Sequence, residues 1–208
     1  MACAILLPSK NAAAEEQNLK KAYFAGGCFW CMEPLLESQH WVEGVYSGYT
    51  GWAAETATYE KTSSKTTDHR EAIKVVYDPD IISYWDLVEL FWTQINPTDS
   101  WCQFNDRWFV YSTAIYYSDE QEKLIAENSK AELEASNRFD SPIVTPIEEA
   151  KPFYLAEEYH QDYYKKNPLR YKYYSTWSGR KWYIEDNWED RIEELISTHP
   201  QSLSLQEK

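Results

Sequence analysis

Glycine is scarce in this 208-residue chain: six in all, roughly 3% where about 7% is usual. Four cysteines are too few for a secreted disulfide scaffold at this length. No apolar run approaches the ~20 residues of a membrane helix, so no membrane partner is expected. Positive charge is short too, with 20 Lys and Arg against 34 Asp and Glu and a net charge of −14. A phosphate-tracking protein needs the opposite sign, which excludes nucleic acid as a partner. A second C-x-x-C and a His pair at ligand spacing are missing, and His40, His69, His160 and His199 are scattered. No metal and no cofactor are expected. Residues 1–8 have no basic n-region and their apolar stretch ends at Pro8, a poor signal peptide that points to the cytoplasm. A trimmed export signal is the alternative.

What is present describes a folded, soluble domain. Hydrophobic residues make up 43% and charged residues 26%, and aromatics reach 16%, with 10 Trp and 17 Tyr to fill a core or line a pocket. Residues 1–19 read as a flexible arm, 20–190 as a single catalytic domain and 191–208 as a tail. A monomer is expected. Alternating or β-branched runs predict strands at 20–24, 42–49, 72–77, 111–117 and 143–148. Helices are predicted at 29–39, after a Ser83/Asp86 cap with Leu87, Leu90 and Phe91 on one face, after a Ser118/Gln121 capping box to about 136, and at 156–166. Long loops fall at 52–68 and 96–110, and a long loop in a compact domain is a functional hint. The order of elements predicts an α+β fold: a ferredoxin-like split β-α-β core with additional helices and a long C-terminal coil over the last forty residues.

Gly26-Gly27-Cys28-Phe29-Trp30-Cys31 is the most informative run. Two glycines let the backbone turn sharply before a helix, and a cysteine at a helix start faces unpaired N–H groups that favour thiolate. Cys31, three residues on, shares that helix face within disulfide reach. Pro34 implies either a helix that starts nearer Trp30 or a kink. On its own, Cys28 could equally be a buried small residue.

Gly-Gly-Cys-Phe-Trp resembles the signature of the A-type peptide-methionine sulfoxide reductases, in the subgroup reading Gly-Cys-Phe-Trp-Cys. The resemblance continues through Ser47-Gly48-Tyr49-Thr50-Gly51, Thr58-Tyr59-Glu60, His69-Arg70-Glu71-Ala72, Gln103-Phe104-Asn105-Asp106 and the run from Ala156 to Gln161. It spans roughly 20–188 in order. It implies reduction of methionine S-sulfoxide, free or in proteins, with Cys28 as the nucleophile that ends as a sulfenic acid. By the same resemblance Glu71 is the acid that protonates the departing oxygen, and Tyr59 and Tyr111 hydrogen-bond that oxygen. Asp106 would hold the substrate's polar surroundings, and Phe29 and Trp30 would form the slot for the S-methyl group. His160 carries no chemical role and reads as structural.

Many family members resolve the sulfenic acid with a cysteine near the C-terminus, and this sequence has none after Cys102. Cys31 and Cys102 are the two candidates, with helix spacing favouring Cys31; Cys3 lies in the arm. A thioredoxin-like dithiol is the implied reductant, through a mixed disulfide. Trp52, Asp68, Cys102 and Trp108 stand where the family usually has glycine, and Val110 where it has glutamine. Bulky residues seldom take φ > 0, so those loops should follow different paths. Two alternatives stay open: a general C-x-x-C thiol-disulfide oxidoreductase, and a divergent member with reduced activity acting as a peptide-binding module.

Overall fold

The computed structural model describes residues 18–39, 41–99 and 102–198. The arm up to residue 17, Cys3, His40, Trp101, His199 and the tail from 199 lie outside the described residues. Strands β1 (Lys20–Gly26), β2 (Val42–Thr50), β3 (Arg70–Tyr77), β6 (Thr113–Tyr117), β7 (Ile147–Glu149) and β8 (Phe153–Leu155) form one sheet in the order β7-β6-β1-β3-β2-β8. A small hairpin, β4 (Cys102–Gln103) with β5 (Asp106–Arg107), stands apart from it. All pairings are antiparallel except β6 with β7. The central β6-β1-β3-β2 order, with α1 (Phe29–Glu37) joining β1 to β2 and α3 (Tyr84–Trp92) following β3, is the expected split β-α-β core.

Helix α3 starts as its sequence dictates. The Ser83 side chain accepts from Asp86 N–H, and the Asp86 carboxylate accepts from Ser83 N–H, a complete capping box. Its buried face, with Leu87 and Phe91, packs on the sheet, where Phe91 stacks on Phe24 at 5.0 Å. The cap of α4 (Glu120–Ala135) sits one residue later than predicted. Asp119 accepts from Glu122 N–H at 2.8 Å, and the Glu122 carboxylate accepts from Ser118 N–H at 2.7 Å. An aspartate outcompetes the serine before it because its charge also suits the positive helix end.

Several segments differ from expectation. The loop at 52–68 contains a 3₁₀ turn and the short α2 (Tyr59–Ser63). The helix predicted at 156–166 is mostly turn, ending in one helical turn, α5 (Tyr163–Lys166). The last predicted strand shrinks to β7, and β8 was not expected.

The largest correction concerns the C-terminal coil, which is two helices: α6 (Pro168–Trp177) and α7 (Arg180–Thr198). Pro168 sits in the first turn of α6, where its missing N–H costs nothing, and Gly179 takes φ 87 to separate the two. Helix α7 crosses residue 190 and buries Trp188 and Leu195 in the main core. Trp188 Nε1 donates to the Ile95 carbonyl at 3.3 Å. Arg180 reaches further. Its buried guanidinium donates to the carbonyls of Gly26 at 2.7 Å and Gln94 at 2.6 Å. Such a polar bolt, a buried guanidinium held by two backbone carbonyls, is costly to remove.

Candidate active site

Strand β1 ends in Gly26-Gly27, and Gly27 takes φ 82. A Cβ there would meet the Gln103 Cβ at 2.6 Å, so only glycine lets the chain turn beneath the hairpin. Cys28 follows as the N-cap of α1, buried. The helix begins at Phe29, so Pro34 lies inside it and leaves the Trp30 carbonyl without its usual donor.

Cys28 makes no side-chain cap. That duty falls to Glu71, from the second position of β3, whose carboxylate accepts from Phe29 N–H at 3.1 Å. This places a carboxyl group against the first turn of the helix that carries the cysteine. Glu71 is 3% exposed, and burial raises its pKa to about 8, opposed by the Phe29 hydrogen bond and assisted by Asp106. At neutral pH it is a carboxylic acid with a proton to give.

The thiols differ from the simple helix-terminus expectation. Burial, the hydrogen bond with Cys31 and the nearby Glu71 push the Cys28 thiol well up. The hydrogen bond from Cys28 and the Arg180 charge bring Cys31 down, against its burial. Loss of solvent and neighbouring carboxyls outweigh the partial charge of a helix end.

Tyr59, at the start of α2, and Tyr111, in the 3₁₀ turn before β6, both feel the charges of Glu71 and Cys28. Burial raises both phenols, so they remain O–H donors throughout the physiological range. The Glu157 carboxylate holds Tyr59 N–H at 2.9 Å and accepts from the Tyr49 hydroxyl at 2.9 Å. Asp106, on β5, also acts on Tyr111 and Cys28. Its carboxylate accepts a short hydrogen bond from Tyr174 of α6, and burial raises its pKa.

Phe29 is buried in the main core, against Tyr49 and His160. Trp30 is the more open of the two, stacked on Tyr163 at 3.7 Å with Tyr174 edge-on at 5.8 Å. Its indole N–H donates to His160 Nδ1 at 3.1 Å. The neutral imidazole therefore carries its proton on Nε2, toward Glu157 at 3.9 Å. His160 thus has a definable place, fixing the orientation of Trp30.

The head of α1 brings together Cys28, Cys31, Glu71, Tyr59, Tyr111, Asp106, Phe29 and Trp30. Cys102 stands on β4 of the hairpin, opposite Arg107, and not on α1 with the two buried thiols. Among the described residues no group of three or more His, Cys, Asp or Glu could hold a metal ion. Among the described residues no helix is long and apolar enough to cross a membrane.

The glycine-poor loops also resolve. None of Trp52, Asp68, Cys102 and Trp108 has a positive φ; among the described residues the non-glycine left-handed positions are Lys65, Phe104, Asn137 and Asp162. Lys65, at φ 66, places its ammonium 3.9 Å over the exposed Trp108 ring. Phe104, at φ 61 in the turn before Asp106, is covered by the Arg180 guanidinium at 4.8 Å and by the Tyr183 ring at 5.4 Å. Tyr171, Tyr174 and Arg180 are the site residues that the sequence did not single out. All three come from the segment expected to be coil, and their signals were the first-turn proline and the i, i+3 tyrosine pair.

The profile of the peptide methionine sulfoxide reductase family matches residues 20–192. A peptide methionine sulfoxide reductase MsrA from Streptococcus pyogenes serotype M1 is 54% identical over 170 residues, covering 82% of this chain and 99% of that protein. Its counterpart from Streptococcus equi subsp. zooepidemicus is 52% identical over 171 residues, covering 82% and 100%. Mxr1 from Saccharomyces cerevisiae, crystallised in reduced form, superposes with a TM-score of 0.67 at 28% identity, over 72% of this chain and 86% of that one. Methionine sulfoxide reductase A of Corynebacterium diphtheriae gives 0.65 at 29% identity, over 74% and 78%. With the profile spanning most of the chain and relatives matched over almost their whole length, this chain belongs to the peptide methionine sulfoxide reductase family.

Proposed function

We propose that the chain reduces methionine S-sulfoxide, free or in polypeptides, to methionine, and that residues 20–190 together with the remainder of α7 act as one catalytic domain. The observation that carries this reading is the buried Glu71 carboxyl, hydrogen-bonded to the helix turn that presents Cys28. Trp30, held by His160 and Tyr163, forms the wall for the S-methyl group, with Phe29 behind it. Tyr59 and Tyr111 donate to the sulfoxide oxygen. The Cys28 sulfur attacks the sulfoxide sulfur, its S–H proton replacing the one that Glu71 gives to the oxygen; the sulfoxide S–O bond breaks, the OH ends on Cys28 as sulfenic acid, and methionine leaves. Asp106, tied to Tyr174, holds the polar side of the pocket.

Cys31 then attacks the Cys28 sulfenic acid, expelling water and forming a disulfide. Both thiols are buried at the head of α1 and each shifts the other's titration, which supports Cys31 over Cys102. A protein dithiol of the thioredoxin kind restores both thiols. Free cysteines and a dithiol reductant suit the cytoplasm.

The test is turnover of the separated methionine sulfoxide epimers with dithiothreitol, in wild type and Cys28→Ser. Consumption of the S epimer alone, lost in the variant, is expected. Equal rates on both epimers would remove the assignment. Disulfide reduction without sulfoxide turnover would favour a general thiol-disulfide oxidoreductase.

A further inference from the structure

Helix α6 is turned inside out for a surface helix. Tyr171, Tyr174 and Ser175 share its inner side, where Tyr174 meets Asp106. On the opposite side Leu169, Tyr173 and Trp177 recur at i, i+4 and i+8, all exposed; Leu169 is 85% exposed. Helical spacing puts Arg170 along one edge of that stripe and Lys172 along the other, and both are exposed. Trp182, at the start of α7, extends the apolar surface.

Charge marks the same region. The chain carries 34 acidic residues, yet 163–184 holds six of its 20 basic residues and no acid. Lys165 and Lys166 are paired with carboxylates on neighbouring segments, and Lys181 with Glu185 one turn along α7. Arg170 and Lys172 form no ion pair among the described residues. An apolar stripe edged by two unpaired cations, on a protein of net charge −14, fits a partner with an apolar centre and an acidic rim.

The inner side of the same helix says which partner. Tyr171 and Ser175 of α6, with Arg180 and Ile184 of α7, wall a cleft of about 410 Å³ that has Cys31 and Leu35 on its other side. Cys28 instead faces Glu71, Asp106 and the two tyrosines. Exchange at a Cys28–Cys31 disulfide requires a thiolate to approach one sulfur from outside the bond, and this cleft opens on Cys31.

We propose that the outer face of α6 and the start of α7 dock a protein dithiol with an acidic, apolar rim, and that its thiolate reaches Cys31 through this cleft. The inference rests on the cysteine cycle proposed above. The incoming sulfur bonds to Cys31 Sγ, and the Cys28–Cys31 bond breaks with its electron pair on Cys28 Sγ, which takes up a proton. The second thiol of the partner then attacks the mixed disulfide, releases Cys31 and leaves the partner oxidised by two electrons.

Two variants test it: Leu169→Ser/Tyr173→Ser/Trp177→Ser, and Lys172→Glu, with Arg170 kept because its charge reaches Tyr59. Wild type and both variants should reduce one equivalent of S-sulfoxide without reductant, and should cycle equally with dithiothreitol. With thioredoxin, both variants should need on the order of tenfold more of it for half-maximal rate. The rate of the charge-reversed variant should also lose its decline with added salt. Unchanged thioredoxin dependence in both variants overturns the proposal. So does a rise confined to the KM for a sulfoxide peptide, which makes α6 a substrate platform. Wild type that consumes no sulfoxide in the single-turnover assay instead removes the cycle on which the docking rests.

Discussion

Glu71→Gln separates the chemistry of the acid from the cost of burying it. Glutamine keeps the shape and an oxygen to accept from Phe29 N–H, so the helix start stays capped. It cannot deliver a proton, and loss of a general acid lowers rates by about 10²–10⁴-fold. The wild-type rate should decline as pH rises through about 8, where Glu71 loses its proton. The variant should lack that limb. Stability moves the other way. Below pH 4.5 the folded and unfolded chains both carry the proton, and burial of a neutral acid is not penalised. Between 4.5 and about 8 only the folded chain keeps it, so each pH unit removes about 1.36 kcal/mol of stability. The loss levels off near 5 kcal/mol, an upper figure for a fully buried group with some capacity to relax. Urea titrations of both proteins from pH 5 to 8.5 should therefore show Glu71→Gln gaining on wild type as pH rises. A variant within a factor of two of wild-type turnover, with a stability difference flat across that range, would refute both the acid role and the buried neutral carboxyl.

Cys31→Ser should reduce one equivalent of sulfoxide and stall with thioredoxin, while Cys102→Ser should cycle; peptide mapping of oxidised wild type should find a Cys28–Cys31 bridge. Tyr174→Phe removes the hydroxyl that donates to Asp106, and hydrogen bonds to charged groups are worth about 1.5–3 kcal/mol. Its kcat/KM should fall roughly 10- to 100-fold, with thermal stability changed far less than by a core truncation. Trp188→Ala should cost about 3–5 kcal/mol in denaturant unfolding, because the indole is buried against the core and bonded to the Ile95 carbonyl. Arg180→Met should keep the bulk but lose both hydrogen bonds to the carbonyls of Gly26 and Gln94, measured as a lowered Tm together with faster alkylation of Cys31.

The central sheet and its covering helices were legible because alternation, caps and turn residues there all agree. Cys28 and Glu71 were legible through motif resemblance, since nothing local distinguishes Glu71 from a solvated glutamate at the start of a strand. What escaped was long-range. Ile184, Trp188, Ile192 and Leu195 form a helical stripe, but nine charged residues between Arg180 and Glu194 mask it in any composition-based view. The partnership of Trp30 with His160 spans 130 residues, and that of Asp106 with Tyr174 spans 68. No local pattern encodes such pairs. The helix-end argument for an acidic Cys28 failed for a related reason, because burial is a property of the whole fold.

The Arg180 bolt has a consequence for how the protein comes into being. Its guanidinium grips Gly26 across 154 residues of sequence, and Gln94 across 86. During synthesis, a nascent chain that has emerged through β6 can already zip β1 between β3 and β6, yet Cys28 and Cys31 have no roof. Translation must deliver α6 and α7 before Asp106 gains its tyrosine and Cys31 gains the walls of its cleft. Until that moment the enzyme meant to reverse sulfur oxidation carries its own sulfurs open to oxidants. Its vulnerable interval is set by the time the ribosome takes to finish the C-terminal helices.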